Sequence, residues 1–461
     1  NHSEVIKIGA DFLTQKPLMQ NIVINKFPIL LIDESQDTNK LLMEAFLKVQ
    51  KQHGSDFVLG LFGDTMQRIY ADGKVNLGQD LPSDWAKPAK QMNHRCPLRI
   101  ITLINKIRSA VDGQEQKPRT DKETGFVHLF ILPDNTTDKR EAEREAAKRM
   151  ATITGDALWS GPDAEIKTLT LEHHMAARRM GFFEMFEPLY QEKSQVLRTG
   201  LLDGTLPGLR LFSQHVLPIV KATKNGDNFS VTAIVRKNSP LLTKAALQAV
   251  GEDQLLQIKK AREAVAELLA LWSDNKEPRF LDVLRCITRT SLFEIPESLR
   301  PIAARSDIEQ ETAEKNETPL LEEDLSDSVL DAWDKFLLTP FSQIEPYSAY
   351  VSGQAHFDTH QGVKGLEFPR VMVIIDDNEA RGFLFSYDKL FGTKEKTKTD
   401  LENEREGKDT GIDRTRRLFY VTCSRAKKSL AIVAYSNDPQ KVRSHVLSEG
   451  WFENSEVEMF S

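Results

Sequence analysis

The first hundred residues alternate apolar runs with polar clusters and one amphipathic segment. Residues 29–32 and 57–62 are nearly continuous apolar runs, typical of strands buried in a parallel sheet. Between them, Leu42, Ala45 and Val49 follow the spacing of one helix face. Each run ends in polar residues. The pattern therefore predicts an open α/β sheet, in which ligands bind at the carboxyl ends of the strands.

The rest of the chain mixes strand and helix patterns. Further apolar runs predict buried strands at 126–132, 230–235, 371–375 and 430–434. Asp138 is placed to cap a charged helix that continues through Ile153. Residues 155–228 are expected to be an insertion of helices and loops.

Residues 250–350 carry helical spacing, clearest over 261–272. The acidic stretch 308–331 predicts a linker or exposed loop, and the charged stretch 394–408 predicts a surface loop.

Composition narrows the class of protein. Of 461 residues, 40% are hydrophobic and no apolar run approaches the ~18 residues needed to span a bilayer, so we expect a cytoplasmic protein without a membrane partner. Asn1 to Glu4 is no signal peptide, and the three scattered cysteines indicate reduced thiols. The net charge of −7 excludes nucleic-acid binding through a broadly basic surface. Any such site must be a local groove.

The first candidate site follows the first predicted strand, where the chain reads Asp33-Glu34-Ser35-Gln36-Asp37. A carboxylate at a strand end can hold Mg²⁺ beside a nucleotide, and a second one can position or deprotonate water. The same residue types are common in a polar loop that caps a helix. The pentapeptide alone leaves that alternative open.

Two further polar segments follow. Gly63-Asp64-Thr65-Met66-Gln67-Arg68-Ile69-Tyr70 comes after the second strand, and its glutamine could orient water or sense a γ-phosphate. Asn93-His94-Arg95 offers a guanidinium, a permanent fork of donors for phosphate oxygens. Taken alone, the first segment is better explained as a turn and the second as an ordinary surface arginine.

Two blocks in the C-terminal part adjoin predicted strands. Residues 359–368 read Thr-His-Gln-Gly-Val-Lys-Gly-Leu-Glu-Phe, and residues 416–427 read Arg-Arg-Leu-Phe-Tyr-Val-Thr-Cys-Ser-Arg-Ala-Lys. Each alone could be a charged helix or loop. Together, the five blocks resemble motifs II, III, IV, V and VI of UvrD/Rep-like superfamily 1 helicases, in a divergent form. The Asp-Glu-x-Gln-Asp and Lys-Gly-Leu-Glu-Phe strings are specific to that group.

The resemblance implies an α/β fold with two RecA-like P-loop NTPase-type domains, the first incomplete, and a mainly helical insertion in the second. ATP and Mg²⁺ would be the cofactors, with ATP between the domains and single-stranded DNA across their tops. The expected divisions are 1–95 (first domain, motifs II and III), 96–250 (second domain with motif IV, and inserted helices at about 155–228), 251–350 (helical insertion) and 351–461 (remainder of the second domain).

The same resemblance assigns roles around the nucleotide. Asp33 would bind Mg²⁺, and Glu34 would be the general base for the attacking water. Gln36 and Gln67 would couple the γ-phosphate to the DNA path.

Further roles follow from motifs III to VI. Arg95 and Arg425 would be arginine fingers from the second domain. Glu367 would contact the ribose, and Tyr70 would lie near the nucleotide base.

The resemblance also implies contacts with DNA. Thr359, His360 and Lys364 would lie near the DNA backbone or the domain interface. Residues 231–238 resemble an additional motif of the second domain, with Arg236 as its basic residue.

The chain departs from the family pattern in motifs III and V. Ala71-Asp72-Gly73 stands where Gly-Trp-Arg is usual, which removes a base-stacking platform of a kind worth ~1–3 kcal/mol per base. Arg68 replaces a serine, and Gln361 stands at a histidine position.

A phosphate-binding Gly-x-x-x-x-Gly-Lys-Ser/Thr string is absent from the sequence. The nearest match, Gly407-Lys408-Asp409-Thr410, lacks the upstream glycine, a serine or threonine directly after the lysine, and a preceding strand. In the family this loop precedes motif II. We therefore expect the chain to be a fragment whose residues 1–461 alone do not hydrolyse ATP.

Two functions from different classes remain open. The first is an ATP-dependent helicase or translocase, 3′ to 5′ on single-stranded or partly duplex DNA, in DNA repair or antiphage defence, with a nuclease subunit as a candidate partner. The second is a non-catalytic, helicase-like DNA-binding or scaffold subunit of a nuclease complex. The full set of site residues favours the first. An RNA track also stays open.

Overall fold

A computed structural model of the chain describes residues 2–70, 72–75, 77–78, 81–305, 325–382 and 384–460. It divides into two compact units. The sheet unit comprises Asn1–Glu172 and His356–Ser461, and the helical unit comprises His173–Ala355. Within the described ranges, no helix has the length and apolar character needed to cross a bilayer.

The strands of the sheet unit are β1 (Ile29–Ile32), β2 (Val58–Leu61), β3 (Met92–Asn93), β4 (Lys117–Pro118), β5 (Phe126–Pro133), β6 (Lys167–Thr170), β7 (Phe357–Thr359), β8 (Phe368–Ile375), β9 (Ala426–Ser436) and β10 (Val457–Met459). Six of these form a sheet in the order β10-β5-β9-β8-β6-β7, and every pairing in it is parallel. β1 pairs parallel with β2, and β3 with β4. The predicted α/β class with a parallel sheet is confirmed.

The central strands are those that the apolar runs predicted. β5, β8 and β9 are buried along most of their length, with Leu129, Val373 and Ile432 fully inaccessible. A parallel strand covered on both faces requires such continuous apolar sequence. These strands form the core of the sheet unit.

Helices of the sheet unit span His2–Gln15, Pro17–Lys26, Lys40–Gln52, Leu98–Arg108, Lys139–Thr154, Asp377–Ala380, Tyr387–Leu390, Lys398–Arg405, Gly411–Cys423 and Pro439–Ser448. Short 3₁₀ turns span Ser35–Asp37, Thr65–Gln67, Ala157–Trp159 and Asn454–Glu456. The predicted cap is confirmed, since the Asp138 carboxylate accepts from the Glu141 amide at 3.0 Å. Gly155 ends that helix in the left-handed conformation, with φ 66°.

One face of the β1–β2 pair packs on helices and the other is exposed. Leu30 and Ile32 face a cluster formed with the 40–52 helix, whose Ala45 and Val49 are buried there. Ile29 and Leu31 each point the opposite way and are 62% exposed. The alternation of side chains along a strand explains this division.

Helices of the helical unit span His173–Met180, Phe183–Gln191, Gln195–Leu202, Pro207–Arg210, Leu217–Lys224, Asn228–Asn238, Lys244–Ala249, Gln254–Ala270, Phe280–Thr290, Arg300–Ala303, Leu325–Leu337 and Ile344–Val351. A π-helical turn spans Leu211–Val216, and 3₁₀ turns span Pro240–Leu242, Gly251–Asp253, Ser273–Asn275, Glu297–Leu299 and Phe341–Gln343. The core of this unit is aromatic. Phe212 packs on Phe280 with ring centroids 4.9 Å apart, and Phe280 on Phe336 at 4.4 Å.

The strand predicted at 230–235 is wrong, because these residues lie in the Asn228–Asn238 helix. Its β-branched residues favour a strand locally. However, the Asp227 carboxylate accepts from the Ser230 amide at 3.0 Å and starts a helix. Val235 is buried in the core of the helical unit. Tertiary packing and the cap therefore outweigh the local preference.

Three other expectations also differ. Residues 155–228 contain β6, a strand inside the six-stranded sheet, and the expected loop at 394–408 contains the Lys398–Arg405 helix. Of the expected linker at 308–331, residues 308–324 lie outside the described part and the rest begins the Leu325–Leu337 helix. The helical unit His173–Ala355 includes parts of the expected divisions 96–250, 251–350 and 351–461, and these divisions stay predictions.

Candidate functional site

The two acidic residues assigned to Mg²⁺ and water lie in the turn after β1. Asp33 is exposed, and its Oδ1 accepts from the Glu34 amide at 2.9 Å. Glu34 has a left-handed backbone with φ 49° and leads into the Ser35–Asp37 turn. A non-glycine residue in this region is strained and is common at functional sites. Both carboxylates therefore project from a strand end, where an α/β sheet binds ligands.

Gln36 joins this turn to the one after β2. It is buried, its Nε2 donates to Glu34 Oε2 at 2.6 Å, and its Oε1 accepts from the Asp64 amide at 3.2 Å. Gly63 explains the close approach, because a Cβ at that position would collide with Gln36 Oε1. Parallel pairing of β1 with β2 brings the two turns to the same edge. Gln36 therefore fixes Glu34 relative to the second turn.

Lys364 lies against the acidic turn. Its Nζ is 2.9 Å from Glu34 Oε2 and also pairs with Asp37. Burial tends to raise the pKa of Glu34, but the hydrogen bonds from Lys364 and Gln36 outweigh burial and lower it. The Lys364 ammonium also lies 5.9 Å from the centre of the Tyr70 ring. The structure thus places this lysine beside the proposed base.

Arg95 and Glu367 come together from distant parts of the chain. Arg95 Nε donates to Glu367 Oε2 at 3.1 Å, and its Nη1 donates to the Ser424 carbonyl at 3.2 Å. Lys427 pairs with the same Glu367 carboxylate at 2.8 Å. These contacts lower the pKa of Glu367, with Lys427 and then Arg95 as the main causes. An open cavity of about 400 Å³ lies here, lined by Met92, Asn93, His94, Arg95, Gln116 and Glu367.

Arg425 is 1% exposed. It donates to the Val421 carbonyl at 2.9 Å, to the Leu366 carbonyl at 3.3 Å and to Ser424 Oγ at 2.7 Å. Burial, reinforced by the charge of Arg95, lowers the pKa of Arg425 to about 10. Its positive charge also helps to lower the pKa of Glu34.

Gln67 and Tyr70 lie in and after the turn that follows β2. Gln67 ends the Thr65–Gln67 turn, and its Nε2 donates to Asp64 Oδ2 at 3.4 Å. The Tyr70 side chain is 46% exposed and available for stacking. The residues Ala71-Asp72-Gly73, which depart from the family pattern, follow Tyr70, and Ala71 lies outside the described residues. Gly73 lies so close to the Gln36 carbonyl that a Cβ would collide with it.

The residues expected near DNA are dispersed. Thr359 is buried, and its hydroxyl accepts from the Gly362 amide at 3.0 Å. His360 is fully buried, with Nε2 3.1 Å from the Ile374 carbonyl and Nδ1 3.2 Å from the Tyr387 hydroxyl. This geometry favours a supporting role for His360 over direct contact with DNA. Arg236 is exposed on a helix of the helical unit, not on the expected strand.

Two segments of the sheet unit match known protein families. The UvrD/REP helicase N-terminal domain matches residues 3–71, and the UvrD-like helicase C-terminal domain matches residues 358–437. The chain is therefore related, in a divergent form, to the UvrD/Rep-like superfamily 1 helicases. Asp33, Glu34 and Gln67 lie in the first match, and Arg425 lies in the second.

The chain is also similar to two named proteins. The chain is 24% identical over 470 aligned positions to the Gabija protein GajB of Bacillus cereus, covering 97% of this chain and 64% of the relative. It is 33% identical over 113 positions to a probable DNA helicase II homolog of Mycoplasma pneumoniae, covering 23% of this chain and 15% of the relative. The chain therefore spans less than two thirds of either relative.

The donors at the acidic turn suit a magnesium nucleotide. Mg²⁺ in nucleotide sites takes one or two carboxylates, substrate phosphates and several waters. Asp33 offers one exposed carboxylate in that position. In the described part of the chain, no cluster of three or more acidic, histidine or cysteine side chains could hold a metal by itself. Phosphate and water oxygens would therefore complete the coordination.

Sequence reasoning missed the buried ion pair of Arg68. Arg68 pairs with Asp409, a residue of the string that most resembled a phosphate loop. Asp409 instead lies just before the Gly411–Cys423 helix, which Thr410 and Asp413 start with a capping box. The Thr-x-x-Asp spacing was the available signal for this helix start. No local signal linked Asp409 to Arg68.

Proposed function

We propose that this chain forms most of the motor core of an ATP-dependent DNA helicase or translocase that moves 3′ to 5′ on single-stranded DNA. The observation that carries the proposal is the arrangement of Asp33, Glu34 and Gln36 in the turn after β1. The charge of Arg425 helps to lower the pKa of Glu34 in this turn. Carboxylates are suited to holding Mg²⁺ and positioning water, and an arginine is suited to stabilising phosphoryl charge. The matches to the two UvrD-like helicase domains support the same function.

In the proposed mechanism, bound Mg²⁺–ATP supplies the scissile phosphoryl group and a neutralising cation. Asp33 would hold the metal, and Glu34 would accept a proton from the attacking water at its carboxylate. In the described part of the chain, both donors to the Glu34 carboxylate, Gln36 and Lys364, bond to Oε2, which leaves Oε1 for that water. Gln67 would orient the water from the neighbouring turn.

The arginines and the nucleotide contacts complete the assignment. Arg425 and Arg95 would stabilise charge that develops on the transferred phosphoryl group. Arg95 already carries a carboxylate partner in Glu367, and this pair lines the open cavity. Glu367 would contact the ribose, and Tyr70 would lie near the base. Thr359, Lys364 and Arg236 stay candidates for DNA contacts.

ATP hydrolysis by the complete gene product tests the proposal. We expect single-stranded DNA to stimulate turnover more than RNA does, and we expect unwinding of duplexes with a 3′ tail but not of those with a 5′ tail. Equal stimulation by RNA would instead assign an RNA track. Residues 1–461 alone should show little turnover, because their sequence holds no Gly-x-x-x-x-Gly-Lys-Ser/Thr string.

The biological setting that we propose is antiphage defence beside a nuclease subunit, rather than DNA repair. The similarity to a Gabija protein covers 97% of this chain and supports this choice. Phage plating on cells that carry the complete locus, with and without a Glu34→Gln substitution, tests it. Equal plating on both strains would count against a motor role in defence.

A non-catalytic scaffold is the second candidate, and one observation favours it. Lys364 pairs with Glu34 and Asp37, so the proposed base is occupied by a cation of the same chain. If this pair stays closed, the lowered pKa of Glu34 makes its carboxylate a poorer acceptor for the proton of the attacking water. A complete protein that binds DNA and labelled ATP without turnover would support the scaffold.

A further inference from the structure

Arg68 stands where the family usually has serine, and the structure gives it a specific partner. Its side chain is mostly buried, and its guanidinium pairs with Asp409, 341 positions further along the chain. Asp409 lies between the Lys398–Arg405 and Gly411–Cys423 helices. A buried charge is stable only when it is paired and hydrogen-bonded. The serine-to-arginine departure is therefore matched by a carboxylate elsewhere in the unit.

Arg417 completes this cluster. Its Nη1 and Nη2 donate to the Asp409 carboxylate at 3.2 and 2.5 Å, and its Nε donates to the backbone carbonyl of Arg68 at 2.7 Å. Burial tends to raise the pKa of Asp409, but Arg417 and then Arg68 outweigh it and lower that pKa. The Asp409 carboxylate thus binds the guanidiniums of Arg68 and Arg417. The Arg417 guanidinium also binds the backbone directly after Gln67.

The other end of the Gln67 turn is held by the same helix. Asp64 caps the turn by accepting from the Met66 amide at 3.0 Å. The Asp64 carboxylate also accepts from Arg108 at 3.0 Å and from the Tyr420 hydroxyl at 3.2 Å. Arg417 and Tyr420 are three residues apart on the Gly411–Cys423 helix, so they share one face. This face therefore contacts the turn on both sides of Gln67.

The same helix leads directly to Arg425, whose Nε donates to the Val421 carbonyl at 2.9 Å. We propose that Arg68, Asp409 and Arg417 form a positioning bridge that fixes Gln67 relative to Arg425. The proposal rests on the proposed function, since it assumes that Gln67 and Arg425 act together in hydrolysis. The three bridge residues position these groups and do not touch the nucleotide themselves.

A thermodynamic cycle tests whether the bridge exists. In the wild type, Arg68→Met removes a partner of Asp409 and should lower the thermal midpoint. In an Asp409→Asn background, the same substitution removes a buried arginine that has lost its carboxylate, so it should leave the midpoint unchanged or raise it. Equal downward shifts in both backgrounds would overturn the bridge.

Kinetics of the complete gene product test the positioning role. A displacement of about 1 Å at a catalytic centre costs on the order of 10²-fold in rate. Arg68→Met should therefore lower kcat by roughly 10-fold or more. The dissociation constant for a fluorescent ATP analogue should change by less than about twofold, because the bridge does not contact the nucleotide. Arg68→Lys, which keeps the charge beside Asp409, should restore much of kcat.

Arg99→Met is the matched control, because Arg99 forms another partly buried pair in the same unit, with Glu456 at 2.6 Å. It should lower the thermal midpoint but leave kcat unchanged. If Arg68→Met and Arg68→Lys give equal kcat values, Arg68 acts by packing and the bridge is overturned, even if Asp409→Asn does not fold. If the wild-type protein has no DNA-stimulated turnover, the proposed function fails, and the positioning role fails with it.

Discussion

The Glu34→Gln substitution separates the charge of the proposed base from its place in the turn. Glu34 Oε2 accepts from Gln36 at 2.6 Å and from Lys364 at 2.9 Å. A glutamine keeps an oxygen that can accept these bonds, but it cannot take a proton from water. The left-handed φ of 49° strains both side chains alike. The variant should therefore fold like the wild type.

The size of the effect follows from the role assigned to Glu34. A general base contributes about 10²–10⁴-fold to a rate. At about 1.36 kcal/mol per factor of ten, the barrier should rise by roughly 2.7–5.4 kcal/mol. ATP affinity should remain within about threefold, since the carboxylate acts on water and its contribution is made in the transition state.

Single-turnover phosphate release by the complete gene product, at saturating single-stranded DNA, measures the effect on chemistry. Binding of a fluorescent ATP analogue measures the affinity in parallel. Glu44→Gln is a suitable control, because Glu44 is exposed on the neighbouring 40–52 helix. Hydrolysis by Glu34→Gln within tenfold of the wild-type rate would refute the assignment of the base.

The other predictions concern Arg425, Lys364 and His360. Arg425→Ala should slow turnover by about 10³–10⁵-fold, as for an arginine finger, and a loss below about tenfold in phosphate release would count against that role. Lys364→Met removes the main partner that lowers the pKa of Glu34, so the acid limb of the pH–rate profile should move to higher pH; an unmoved limb would contradict this coupling. Burial lowers the pKa of His360 to about 4. The unfolded chain, with a histidine pKa of about 6.5, therefore binds the proton first, and stability should fall by up to about 3 kcal/mol as pH falls from about 6.5 to 4. Urea unfolding of His360→Gln over this range should lack that component.

Much of the fold followed from local sequence. β5, β8 and β9 have continuous apolar sequences, whereas a half-exposed strand alternates apolar and polar residues. Each of these sequences was enough to predict a buried strand. The cap at Asp138 depended on residues within one helical turn. The acidic turn after β1 could also be predicted, because its acidic residues directly follow an apolar run in the sequence.

The features that were missed depend on distant partners. β6 reads Lys-Thr-Leu-Thr, a short and polar string, and becomes a strand because β7 and β8 pair on either side of it. The helix at 228–238 has a strand-like composition, but it is stabilised by packing within the helical unit. The pair of Arg68 with Asp409 joins positions 341 residues apart. Such contacts have no local pattern from which they could be predicted.

The charge around the acidic turn bears on the choice between motor and scaffold. Glu34 and Asp37 share one cation, Lys364, which is 11% exposed, and Asp37 Oδ1 is buried without a hydrogen-bond partner in the described part of the chain. Asp33 adds a third carboxylate in the same turn. A partly dehydrated site with excess negative charge favours an additional cation. Mg²⁺ bound with ATP would relieve this excess charge and weaken the interaction of Lys364 with Glu34, as the motor mechanism requires.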